Sequence, residues 1–142
     1  MHTTHAKSVV ALMLCLAALA VAAPAQAQAQ SVVMFSSPTK NIGCVLDRTA
    51  ARCDIRQSNW RPPPKPPSCE LDWGFGLTVD RRGRGQFVCA GDTVLGSRRT
   101  LAYGSSIRRG RFRCVSRVRA MRCVNRRNGH GFALSKQFAR RF

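Results

Sequence analysis

Cys44 and Cys53 stand nine positions apart in GCVLDRTAARCDI, and Cys114 and Cys123 repeat that spacing in RCVSRVRAMRC. Thiols so placed have three uses: metal ligation, a redox couple, or a permanent cross-link. Zinc is held by C-x2-C pairs or by cysteine and histidine clusters at short spacing, and the chain contains none. Redox enzymes carry C-x-x-C beside a βαβ pattern, and neither is present. Cross-links remain, so no metal and no cofactor is expected. Beyond the N-terminal apolar run the cysteines are Cys44, Cys53, Cys69, Cys89, Cys114 and Cys123, an even set of the kind that frames small exported domains.

Other groups able to do chemistry are few. His2 and His5 lie at the extreme N-terminus, which leaves His130 as the only histidine in the body of the chain, so a mechanism pairing two imidazoles as acid and base is not available. His130, Asp92 and Ser135 can be written as a hydrolase triad. However, Ser135 has no nucleophile-elbow motif around it, and the three share no ordered spacing. GHGF at 129–132 reads equally as a glycine-bracketed turn whose histidine is hydrogen-bonded. His130 and Asp92 are thus a candidate motif without an assigned catalytic role, and the chain reads as a binding module rather than an enzyme.

The elements that position the cysteines follow from strand alternation. If Cys44 faces Cys53, then Val45 faces Arg52, Leu46 faces Ala51, and Arg48 and Thr49 make the turn. Ile42, Cys44, Leu46, Ala51, Cys53 and Ile55 then share one face. The same construction at 112–125 sets Val115 against Arg122 and Ser116 against Met121, with Val118 and Arg119 turning. Six cysteines allow fifteen pairings. The shared faces select Cys44–Cys53 and Cys114–Cys123, each closing a loop worth about 2.7 kcal/mol by chain entropy. Cys69–Cys89 follows by elimination, although a simple hairpin turning at 81–84 sets Cys69 opposite a residue later than Cys89. The matching hairpins suggest an internal duplication.

Between the hairpins, NWRPPPKPPSC at 59–69 excludes a helix or a central strand and favours a polyproline II connector packed on Trp60. LDWGFGLTV from Leu71 alternates large apolar with small residues as a core strand does. DRRGRG turns at 80–85, and QFVCAGDTVL returns at 86–95. TLAYG suggests another short strand, and the tail suggests a strand at 132–134 followed by a helical turn begun by Ser135. The expected fold is therefore all-β or β-rich: a small disulfide-stapled domain built of β-hairpins, with a polyproline connector and little helix.

The N-terminus reads as an export signal over 1–27, with a basic start, an apolar run too short to span a bilayer, and alternating alanines that suit cleavage at Ala25, Ala27 or Ala29, of which Ala27 is chosen. Cys15, preceded by Leu14, does not fit lipoprotein processing. A linker at 28–34 and one domain at 35–142 follow, with no transmembrane segment after processing and a secreted or periplasmic, monomeric product. Lys and Arg total 24 against six Asp and Glu, and from Thr93 to Phe142 there are 14 basic residues and no acidic one. A GC-rich genome accounts for arginine over lysine, but not for the missing acids. Arg111, Arg113, Arg117, Arg122 and Arg126 fall on the outer face of the second hairpin as a candidate anion-binding set.

SPTKNIGCVLD, ARCDIRQSNWRPPPKPPSCELDWGFGL, FVCAGDTVLG, LAYG, FRCVS and MRCVNRRNGHGFALS together resemble a family of small exported bacterial six-cysteine proteins recorded as a domain of unknown function. The resemblance spans residues 35–142 and implies the cysteine framework and an exported location, without a catalytic residue. The arginine density of the tail exceeds what the resemblance implies. The function expected from the residues is attraction to anionic polymers or anionic cell-envelope surfaces, including lipid headgroups and cell wall, with nucleic acid bound only non-specifically. An exported inhibitor that uses RPPPKPP as a rigid loop is the alternative reading, and a small hydrolase the weaker one.

Overall fold

The computed structural model describes residues 32–142. The expected signal segment and residues 28–31 of the linker lie outside the described residues. β1 (Val33–Ser36), β2 (Ile42–Leu46), β3 (Ala51–Ile55), β4 (Asp72–Val79) and β5 (Gln86–Ala90) form one antiparallel sheet in chain order. β6 (Ser106–Arg109), β7 (Phe112–Ser116), β8 (Met121–Asn125), β9 (Gly131–Leu134) and β10 (Ala139–Arg141) form the second in the same way. There is no helix among the described residues. None there is long and apolar enough to cross a membrane.

Period-two alternation dictates the layering. Cys44, Leu46, Ala51 and Cys53 are fully buried, while Val45 and Arg52 between them point outward. Cys44 pairs with Cys53 and Cys114 with Cys123, in the expected registers. The inner faces of both sheets share one core, with Phe35, Leu46, Leu77, Phe112, Phe132 and Leu134 excluded from solvent. At its centre Cys53 Sγ lies 3.7 Å from Cys123 Sγ, so the two hairpin disulfides pack against each other. The third bridge is Cys69–Cys89. It forms because β4 begins only at Asp72. The chain before it turns back, with the Cys69 N–H on the Pro66 carbonyl, and the first turn of the ladder sets Trp73 beside Cys89.

The duplication reaches well past the cysteine spacing. Residues 42–55 correspond to 112–125, and 74–79 to 129–134, because Cys53 opposes Leu77 as Cys123 opposes Phe132. Both copies keep Cys, Val, Ala, Arg and Cys in the hairpin and G-x-G in the segment that pairs next, within β4 in the first copy and leading into β9 in the second. Gly74 and Gly129 both have positive φ, 81° and 76°. A Cβ on Gly76 or Gly131 would run into the carbonyl of the opposing cysteine, Cys53 or Cys123.

Several expectations are corrected. β1 takes in Val33 and Met34, assigned above to the linker, because Val33 is buried opposite Leu46. Leu71 precedes β4 and is 52% exposed, and within β4 the register shifts between Trp73 and Leu77, where Phe75 is half-buried beneath the Arg52 guanidinium. The strand returning through Cys89 ends at Ala90. TLAYG makes one parallel bridge, Thr100 to Ser36, rather than a strand. Ser135 starts a tight turn into β10, not a helical turn; its Oγ accepts the N–H groups of Gln137 and Phe138. Residues 59–69 carry no strand pairing, and their proline stretch meets Trp73 rather than Trp60. Trp60 Nε1 donates to the Ser135 carbonyl and Trp73 Nε1 to the Pro63 carbonyl.

Candidate functional site

Hairpins alternate the ends at which they turn, so the β2–β3, β4–β5, β6–β7 and β8–β9 turns gather at one end of the sandwich. Each is locked by its own polar contacts. Asp47 Oδ1 accepts the N–H groups of Thr49 and Ala50 and the Thr49 hydroxyl. Asp80 Oδ1 accepts those of Arg82 and Gly83, each at 2.8 Å. Gly110 turns β6 into β7 with φ 53°. Fully buried Asn125 ties the sheets together, its Nδ2 donating to the carbonyls of Asp80 and Arg81, each at 3.2 Å, while its Oδ1 accepts the Arg127 N–H.

Between these turns lies a cleft of about 600 Å³ lined by Arg48, Arg81, Arg108, Arg111, Arg126, Arg127 and Gly110. The only salt bridges among the described residues join Arg52 to Asp54 and Asp92, so none of the six cleft arginines has a carboxylate partner. Two unit charges 4 Å apart repel by roughly 1 kcal/mol even in bulk water, so the cleft gains by taking up an anion. The carboxylates nearest to it are spent on turn N–H groups. Burial works to raise the Asp47 carboxyl, but its Thr49 and Ala50 hydrogen bonds and the Arg81 charge hold it below the usual carboxylate range. The Gly83 and Arg82 N–H groups hold Asp80 low as well.

The five arginines expected on one face occupy three places. Arg111 and Arg126 line the cleft. Arg113 and Arg122 lie on the outer face of the second sheet, Arg113 opposite Arg108 and Arg122 with its guanidinium 4.7 Å from the Phe142 ring centroid. Arg117 sits at the opposite end. Positions 111 and 126 lie beyond one end of the strands and 117 beyond the other, so strand alternation does not apply to them. Arg48, Arg81, Arg108 and Arg127 escaped the sequence reading. A usable signal was the Asp-Arg pair at 47–48 and again at 80–81, where a turn-capping Asp precedes an outward Arg.

Asp92 and Ser135 are engaged elsewhere, and His130 is held through its backbone. Asp92 accepts from Arg52 at 2.8 Å, and that hydrogen bond and charge hold its carboxyl below the usual range. Ser135 Oγ caps its turn. His130 is half-buried, and its carbonyl accepts the Asn125 N–H. No side-chain hydrogen bond among the described residues joins any two of the three.

A family model described as Family of unknown function (DUF6636) matches residues 13–142. No curated protein and no solved structure matches the chain.

Proposed function

The chain belongs to the Family of unknown function (DUF6636), and we propose that it is an exported, non-catalytic binding module that holds a phosphorylated or sulfated polymer in the arginine cleft. The observation that carries this reading is the set of six guanidinium groups, drawn from both sheets, around one hollow with no carboxylate among them. Guanidinium forks match phosphate and sulfate oxygens bidentately. Binding would release counterions and be indifferent to sequence. A secreted or periplasmic location is supported by the three disulfides and the leader-like N-terminus.

The test is a salt-titrated binding panel of the mature protein against heparin, polyphosphate, DNA and anionic cell-wall polymers. Six phosphate contacts on a flexible single chain give log K a slope of about −4 against log salt. Arg108→Ser with Arg127→Ser removes two cleft charges, and Arg98→Ser with Arg99→Ser removes two exposed charges outside it. The cleft pair is expected to weaken binding at least tenfold more than the control pair. Equal losses would reduce the property to bulk charge.

A further inference from the structure

The sandwich has a second hollow, and the duplication relates it to the first. The β1–β2, β7–β8 and β9–β10 turns meet the segment after β3 at the opposite end, around a groove of about 500 Å³. Correspondence of the two sheets places Arg56 where the cleft has Arg126, Lys136 where it has Arg81, and Val118 where it has Arg48. The backbone matches too: the Arg56 N–H bonds the Asn41 carbonyl as the Arg126 N–H bonds that of Arg111. The chemistry does not match.

Val118 is the most exposed large apolar side chain among the described residues, at 79%, and it caps a tight turn closed by the Arg117 N–H on the Ala120 carbonyl. Arg117 and Arg119 flank it, both exposed, and the Cys114–Cys123 bridge braces the hairpin behind it. Tyr103, 44% exposed, also lines the groove. Arg56 and Lys136 bring the cations there to four, Lys40 at the rim having its Nζ taken up by the Arg98 carbonyl and the Thr100 hydroxyl, and no acidic residue lines the groove. The floor is Ile42, Met121 and Ser116. Ser116 is 1% exposed, and its hydroxyl has no hydrogen-bond partner, where the corresponding position of the first sheet is the core leucine Leu46.

We infer that this end docks on a bilayer bearing anionic lipid headgroups, with Val118 entering the interface and the groove receiving a lipid phosphate. A soluble polyanion gains nothing from an apolar tip, whereas a membrane interface rewards one apolar side chain set between guanidinium groups that stay at phosphate level. The four remaining cations at this end supply the electrostatic attraction to an acidic leaflet. The reading stands apart from the arginine cleft, which shares no lining residue with the groove.

The experiment is cosedimentation of the mature protein with vesicles of phosphatidylglycerol and phosphatidylcholine, against pure phosphatidylcholine. Anionic vesicles are expected to bind and neutral ones not. Val118→Ser, which leaves the charge unchanged, should weaken vesicle binding about fivefold, the loss of partial burial of one valine side chain. Val118→Trp should add emission that shifts to the blue on binding, over the Trp60 and Trp73 background. The cleft pair Arg108→Ser and Arg127→Ser should leave vesicle binding within about twofold. Val118→Ser should in turn leave heparin binding unchanged, so the two sites fail separately. Vesicle binding that ignores Val118→Ser with no blue shift, no binding to anionic vesicles, or full displacement by soluble glycerol phosphate would overturn the inference.

Discussion

Arg52 and Arg122 occupy corresponding places in the two sheets, opposite Val45 and Val115, and they live in different surroundings. Arg52 makes two hydrogen bonds to fully buried Asp54, at 2.9 Å each, and two to Asp92, one to its carboxylate and one to its carbonyl, and it lies 5.6 Å from the Phe75 ring centroid. Asp54 also accepts from Thr93 and from the Val94 N–H, which moors the loop after β5 to the first sheet. The residue corresponding to Asp54 is Val124, and Arg122 stays exposed. One fold thus supports two uses of arginine. Arg52 in the first sheet is neutralised and structural; Arg122 in the second has no carboxylate partner. The acid-free tail carries this difference along the chain: the second copy has Val124 where Asp54 holds Arg52 in the first.

The sharpest way to break that contrast is Arg52→Ser beside Arg122→Ser. Arg52→Ser strands a buried carboxylate, which costs about 3–5 kcal/mol. Arg122→Ser removes an exposed group and should fall within about 0.5 kcal/mol. Urea unfolding of both variants decides it, and comparable losses would mean that the two arginines are not used differently. A smaller effect is expected at Asn125, whose counterpart in the first sheet is the apolar Ile55. Asn125→Ala leaves the Asp80 and Arg81 carbonyls without their donor, at about 1–3 kcal/mol, and loosens one wall of the cleft. Its heparin affinity should therefore fall although no charge is removed. Unchanged affinity together with unchanged stability would show that the clamp does not hold the cleft.

The hairpins, their registers and the disulfides were legible because strand alternation is local and a buried cysteine fixes which face is inside. The duplication was legible only in part. GFGL at 74–77 reads as strand and GHGF at 129–132 as turn, because Phe75 is large and apolar and His130 is not; only the opposing strands reveal them as one motif. The cleft was hidden for another reason. Arg48 and Arg81 belong to the acid-containing half, and nothing local says that their turns meet those of the acid-free half. The second groove was hidden likewise, since Val118 on its own is an ordinary turn residue.

The smallest expected effect concerns how the two ends cap corresponding turns. Asp80 caps the turn at the cleft end, and Ser135, its counterpart, caps the turn at the other. Asp80 and Asp47 are both held below their ordinary 3.8, so the stability they lend is fully present above that value and is lost as pH falls through the lower folded values. Ser135 has no charge to lose. Acidification below about pH 4 should therefore raise amide exchange at 48–50 and 82–83 before it does so at 137–138, with the core unchanged. Replacing Asp80 by Ser, the residue of the other copy, should abolish the acid response of its turn while keeping the cap. Loosening of both ends at the same pH would show instead that acid acts through the protein's whole charge.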